Sequence, residues 1–322
     1  MGENEGGIKL YVVLPCYNEE AILEISAKKA LTLYDTLVRD GLVSDTSRLL
    51  FVDDGSKDRT WEIIESLHEK HRCICGIKLS RNRGHQIAIF SGMTYAAEHG
   101  ADCVITIDAD LQQDINAIPK FLEKYREGCD IVYGVRNSRD TDSFFKKTTA
   151  TMYYKFMRSL GCELIEQSAD YRLLSRKAVK ALDSYKESNL FIRGLVPELG
   201  FKTDIVHFDV SNREAGESKY TLKKMATLAL NGITSFSIRP IRIVTLLGFV
   251  VFLISLVMMV QTVVDHINGA AVRGYPTMMI SIWFLGGVQL LSLGIIGEYV
   301  GRTYMESKSR PRYFIDKETG DE

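Results

Sequence analysis

Residues 49–79 read LLFVDDGSKDRTWEIIESLHEKHRCICGIKL, and this stretch decides the fold. A short apolar run at 49–52 gives way to the polar turn DDGSKDR. A helical pattern follows from Thr60 to Lys70, and a second apolar run at 76–79 closes the unit. Outward from it the same alternation repeats. Strands are expected at 8–14, 49–52, 76–79, 104–107 and 130–135, and helices at 19–38, 60–70, 85–98 and 116–127. This βαβα rhythm implies an α/β fold, a Rossmann-like and mostly parallel sheet with helices on both faces. Ligands of such sheets bind at the carboxyl ends of the strands, so chemistry is expected in the residues directly after each one.

Four successive strand ends carry polar clusters: PCYNEE at 15–20, DDGSKDRT at 53–60, SRNRGH at 80–85 and DADLQ at 108–112. Each alone is ordinary turn chemistry, with Asp58 or Thr60 capping a helix. Together they line one rim of one sheet. Asp108 and Asp110, two residues apart at a strand end, can point into the same cleft. They offer hard oxygen ligands suited to Mg²⁺ or Mn²⁺ partly held by a diphosphate, and Gln112 can add a neutral oxygen. An Asx-type turn feeding the next helix is the bland alternative. No GxGxxG follows any strand and no GxxxxGK[ST] loop occurs, so dinucleotide and P-loop sites are not supported. His85 at the rim can touch a phosphate or the sugar, or simply cap or pack. Cys16 reads as a small buried filler, since no His stands near it in sequence.

The 322 residues are 46% hydrophobic and 25% charged, with 40 Lys+Arg against 41 Asp+Glu and a net charge of -1. That composition excludes disorder as the main state, and it excludes nucleic-acid binding by bulk charge. The six cysteines (16, 73, 75, 103, 129, 162) form no CxxC pair, and residues 1–13 lack the basic start of a secretory signal. Reduced cytosolic thiols are expected.

Two stretches depart from this average. Residues 243–264 and 277–296 carry no charge, and each is long enough to cross a bilayer as a helix. Arg239 and Arg242 precede the first, and Arg302, Lys308, Arg310 and Arg312 follow the second, while the connector 265–276 holds only Arg273. The positive-inside rule then places both ends in the cytoplasm. The glycines at 286, 287, 294, 297 and 301 suit close helix packing, within the hairpin or between subunits of a homo-oligomer. Residues 219–237 read as an amphipathic helix, either on the anionic leaflet or packed on the domain. The expected division is a domain at 1–218, a juxtamembrane helix at 219–240, two transmembrane helices within 241–300 and a cytoplasmic tail at 301–322.

The motifs PCYNEE, VDDGSKDRT, SRNRGH and TIDADLQ, in this order, resemble the family 2 glycosyltransferases of the GT-A fold. ADYRLLSRKAVKAL, FIRGLVPELGF and NREAGESKYTLKKM, followed by two terminal spans, resemble more narrowly the bacterial polyisoprenyl-phosphate glycosyltransferases. The resemblance implies that Pro15, Tyr17, Asn18 and Glu19 line the nucleoside pocket and that Asp54 holds base or ribose. It implies that Asp108, Asp110 and Gln112 place the divalent cation on the diphosphate. Asp170 and Arg172 occupy the stretch of an active-site carboxylate and its neighbouring Arg, and Arg193, Arg213 and Lys219 correspond to basic residues near acceptor and diphosphate. Arg136, after the fifth strand, joins these as a candidate phosphate contact.

The expected reaction is attack by a lipid phosphate oxygen, such as that of undecaprenyl phosphate, on the anomeric carbon of a nucleotide sugar, with UDP favoured over GDP and inversion expected. A phosphate monoester is mostly dianionic at neutral pH, its second pKa being about 6, so no strong base is required. Asp170 then either orients the substrate or pairs structurally with Arg172. Two other readings compete: a processive polysaccharide synthase, which two spans and the missing QxxRW disfavour, and an inactive membrane scaffold or sugar-nucleotide sensor.

Overall fold

The computed structural model describes residues 7–137, 168–187, 190–209 and 274–319, with scattered positions between 244 and 260. Among these the chain forms two units, one built around the sheet and including the last residues, the other holding a long C-terminal helix.

The first unit runs β1 (Leu10–Cys16), α1 (Leu23–Arg39), β2 (Arg48–Asp53), α2 (Thr60–Lys70), β3 (Ile74–Leu79), α3 (His85–Glu98), β4 (Cys103–Thr106), a single 3₁₀ turn, α4 (Ile118–Arg126), β5 (Ile131–Arg136), β6 (Ser168–Ser175), α5 (Arg176–Ser184), α6 (Ile192–Glu198), β7 (Thr203–Phe208) and, after the second unit, β8 (Ile315–Glu318). The sheet order is β7-β5-β6-β4-β1-β2-β3-β8. β1 pairs in parallel with β2 and β4, β2 with β3, and β5 with β7, whereas β6 lies antiparallel between β4 and β5. The carboxyl ends of β1 to β5 therefore share one rim, and β6 starts at that rim.

Every residue of β1 is buried, as befits a central parallel strand covered on both faces. Val13, Leu14, Leu50, Phe51, Ile105 and Leu173 are fully enclosed, and burial of each such side chain contributes about 1.5–3 kcal/mol. α3 lies so close over β1 that a Cβ on Gly92 would stand 2.5 Å from Val13 Cγ1. The five sequence-expected strands and four helices all form. α1 starts at Leu23 rather than 19, after a turn in which the N–H groups of Ile22 and Leu23 donate to Glu19 O (3.1 and 3.0 Å) and those of Glu19 and Glu20 donate to Thr60 Oγ1 (3.0 Å) and Asp58 Oδ2 (3.2 Å). The sheet gains three strands beyond those expected.

In the second unit α7 (Tyr275–Ser307) has 33 residues, a length of about 50 Å at 1.5 Å per residue. Its Phe284–Ser307 portion is long and apolar enough to cross a membrane, and none of that window is buried within the chain. The first expected span, 243–264, lies largely outside the described residues, although 248–251 are helical. The juxtamembrane segment 219–237, Arg213, Lys219 and Cys162 also lie outside them. The other five cysteines are free thiols. The expected tail differs from a plain tail. Residues 315–318 add to the sheet edge as β8, antiparallel to β3 with Lys78 opposite Lys317.

Candidate active site

The loops after β1 and β2 are laced together. Asn18, at φ 52°, donates its N–H to Ser56 Oγ (2.9 Å) and accepts from Lys57 N–H through Oδ1 (2.9 Å), and Glu20 accepts from Arg59 N–H (3.1 Å). Pro15 is buried in β1 and Tyr17 is exposed beyond it. The side-chain amide oxygen of Asn18 is thus engaged in the loop itself, and Tyr17 is left as the open apolar surface at this point of the rim.

Asp54 carries the lacing one strand further. Its Oδ1 accepts Arg83 N–H (2.7 Å) and its Oδ2 accepts Gly84 N–H (2.8 Å). Burial raises its pKa, and those two backbone donors work against the rise. Each carboxylate oxygen thus has one backbone N–H already bonded to it. Gly55, at φ 67°, sits against the same loop, and a Cβ there would stand 2.6 Å from Arg81 C and 2.7 Å from Asn82 N. Gly55→Ala combines left-handed strain of about 1–2 kcal/mol with a backbone clash. We expect a destabilisation of at least about 2 kcal/mol in thermal or denaturant unfolding.

After β4 the chain turns sharply at Asp108, with Leu111 at φ 45° donating its N–H back to Asp108 O (3.0 Å). Gln113, one residue beyond the rim motif, closes on Asp108: its Nε2 donates to Asp108 Oδ2 (2.7 Å) while its Oε1 accepts Asp108 N–H (2.9 Å). Gln112 contributes its backbone N–H to Asp110 Oδ1 (3.2 Å). Burial raises the Asp108 pKa, the negative charges of Asp170 and Asp110 add to this, and His85 and Gln113 oppose it. Among the described residues no three His, Cys, Asp or Glu converge as a metal cluster. Two carboxylates on one turn nevertheless fit a hard divalent cation whose remaining ligands are supplied by a bound diphosphate or water.

Asp170, at the rim end of β6, is the hub. Its Oδ1 accepts Arg172 Nη2 (2.7 Å) and Arg193 Nε (3.0 Å), and its Oδ2 accepts Arg193 Nη2 (3.0 Å) and Gln86 Nε2 (3.4 Å). His85 Nε2 lies 3.5 Å from Asp170 Oδ2 and 3.4 Å from Asp108 Oδ1. Arg172 is 2% exposed, so its charge is wholly desolvated against Asp170. Burial opposes ionisation of Asp170, but Arg193, His85 and Arg172 together hold its pKa well below the carboxylate range. Burial likewise opposes protonation of His85, yet Asp170 and Asp108 outweigh it and hold the imidazole pKa above its usual value.

His85 and Gln113 are the members that sequence reasoning underweighted. His85 follows Gly84 directly in the rim motif, and Gln113 is the next residue after the motif. Arg136 stands half-buried at the carboxyl end of β5. Cys16 is 1% exposed, its thiol donates to Leu14 O (3.3 Å), and burial pushes its pKa well up, which suits an inert filler.

Residues 11–183 match the model of glycosyl transferase family 2, and residues 239–303 match that of the GtrB C-terminal hairpin. The uncharacterized glycosyltransferase YkoT of Bacillus subtilis (strain 168) is 48% identical over 307 residues, covering 95% of this chain and 91% of that one. The bactoprenol glucosyl transferase of Shigella phage SfX is 39% identical over 310 residues, covering 96% and 99%. The prophage bactoprenol glucosyl transferase homolog of Escherichia coli (strain K12) is also 39% identical, over 312 residues. With a GT-A-like sheet, an acidic turn at its rim and these full-length likenesses, the chain belongs to glycosyl transferase family 2 and is a glycosyltransferase.

Proposed function

We propose that the protein moves one sugar, with inversion, from a UDP-linked donor to the phosphate of a polyisoprenyl lipid such as undecaprenyl phosphate. The observation that carries this reading is the Asp108–Asp110 turn joined through His85 to the Asp170–Arg172–Arg193 cluster at one point of the rim. Relatives named bactoprenol glucosyl transferase, similar over nearly their whole length, support the lipid acceptor.

Pro15, Tyr17, Asn18, Glu19 and Asp54 form the nucleoside end of the cleft. Asp108 and Asp110 hold a divalent cation, Mg²⁺ or Mn²⁺, which when bound neutralises charge on the departing diphosphate. The half-exposed Arg193 guanidinium adds fixed positive charge beside that point and offsets the repulsion between the two phosphates, and the His85 imidazole, its pKa held above the usual value by Asp170 and Asp108, stands next to it. Arg136 at the end of β5, together with Arg213 and Lys219 outside the described residues, serves the same end. A carboxylate held at a depressed pKa is a poor base, so Asp170 orients Arg193 and His85 rather than accepting a proton. The dianionic acceptor needs no base.

Moving an isoprenoid tail into water costs about 0.8 kcal/mol per CH₂, so the tail stays in the bilayer and the head reaches the cleft. The sheet unit holds chain from both before and after the apolar region, since β7 ends at Phe208 and β8 starts at Ile315. Any membrane-crossing chain between them crosses an even number of times. Two crossings, with catalytic domain and C-terminus cytoplasmic, agree with the arginine distribution. The glycine-bearing face of α7 suits a homo-oligomer.

Full-length protein incubated with undecaprenyl phosphate, Mg²⁺ or Mn²⁺ and a panel of UDP- and GDP-sugars should give a lipid one sugar heavier by mass spectrometry. A polymeric product would instead indicate a processive synthase. Donor binding with no nucleoside diphosphate released from any sugar would indicate a sensor.

A further inference from the structure

The last residues of the chain enter the sheet at the same rim as the site. Ser80 N–H donates to Phe314 O (3.0 Å), and Gly76 N–H donates to Thr319 Oγ1 (2.7 Å) at the far end of β8. Just ahead of this strand stands Arg312. Its Nε donates to Glu187 O (3.0 Å), its Nη2 donates to Tyr185 O, and its guanidinium carbon lies 4.6 Å from the centre of the Phe90 ring. Tyr313 meets the same ring edge-on, 6.4 Å between centroids at 75°.

Each of these contacts leads to a support of Asp170. Phe90 is on α3, whose first two residues, His85 and Gln86, reach Asp170 Oδ2. Tyr185 and Glu187 lie shortly before α6, which carries Arg193, the two-pronged partner of Asp170. Arg312 is thus the one described side chain seen to bond the 185–187 backbone while stacking on α3. Two carbonyls bonded by one guanidinium whose carbon also lies over an aromatic ring are a set of contacts that a lysine ammonium reproduces only in part.

We propose that Arg312 is a positioning residue for glycosyl transfer, a clasp by which the C-terminal segment sets α3 and α6 at the spacing that aims His85 and Arg193 into the cleft. It touches neither Asp170 nor the reacting groups. Its effect comes through placement, to which transfer is sensitive, since a misplacement of about 1 Å can lower rates about a hundredfold.

The kinetic test rests on the transfer reaction proposed above. Arg312→Ala should lower kcat at least about tenfold while the KM for the nucleotide sugar stays within about twofold, and Arg312→Lys should recover part of the loss. Equal falls in kcat/KM arising only from KM, or a kcat within twofold of the parent, would overturn the proposal. Hydrogen exchange on the full chain supplies an arm independent of the reaction. In Arg312→Ala the amides of α6 and of the first turn of α3 should exchange at least about tenfold faster, and unchanged protection would overturn the clasp whether or not the parent transfers sugar. A parent that transfers nothing, with exchange altered as expected, refutes the function and leaves the clasp standing. Should Arg312→Ala fail to fold, Arg312→Lys decides: parental kcat and parental α6 protection in that variant defeat the proposal.

Discussion

Asp108→Asn is expected to lower turnover by about a hundredfold to a thousandfold with the fold intact. The isosteric amide still presents an oxygen to Gln113 Nε2 and leaves the backbone bond from Asp108 N–H to Gln113 Oε1 untouched. What disappears is a negative charge at the rim turn shared with Asp110. Removing one electrostatic contact that acts on charge developing in the transition state costs a factor of this size in enzymes generally. Initial rates across a titration of Mg²⁺ or Mn²⁺, with melting temperature measured alongside, provide the check. Parental turnover in this variant would overturn the proposal that Asp108 holds a cation.

The second large effect falls on stability. Asp170→Asn leaves Arg172, 2% exposed, without its charge partner and loosens Arg193 and His85 at the same time. Breaking a buried ion pair from one side costs about 3–5 kcal/mol. The pH dependence follows from the signs. Asp170 has a depressed folded pKa, so its contribution is present above the ordinary carboxylate value of about 3.9 and is lost as pH falls through the lowered folded value. His85 has a raised folded pKa, so its contribution is full below about 6.5 and is lost as pH rises through the folded value. Asp170→Asn should therefore unfold at lower denaturant concentration than the parent at pH 7 and at pH 4 alike, the parent's advantage shrinking only as pH falls below about 3.9 toward the lowered folded value. It should also move the His85 NMR titration midpoint downward, since one of two neighbouring carboxylates is gone. An Asp170 acting chiefly as base would give a variant of parental stability that has lost only its rate.

The elements that sequence determined are those whose signals are local. α2 and α3 run over the expected residues because each has a start signal beside it: Asp58 Oδ1 accepts Thr60 N–H (3.1 Å), and Gly84 adopts φ 92° ahead of His85. The apolar runs of β1 to β5 and the acidic turn at 108–110 are legible for the same reason. α1 starts later than expected because residues 19–22 form a turn tied to Thr60 and Asp58, some forty residues away, and no local pattern signals that tie. The contact of Gln113 with Asp108 is not legible in the sequence, because it depends on a turn in which Leu111 adopts a positive φ.

Alternating strand and helix, the uncharged spans and the acidic rim thus came from the one-dimensional pattern, since period, propensity and charge are properties of neighbours in the chain. Tertiary structure alone decided that β6 reverses between β4 and β5, that Asp170 gathers His85, Arg172 and Arg193, and that β8 reaches across 243 positions of sequence to bond at Gly76. Those contacts depend on which buried charge finds which counter-charge and which strand edge is left open, and neither exists until the sheet has formed.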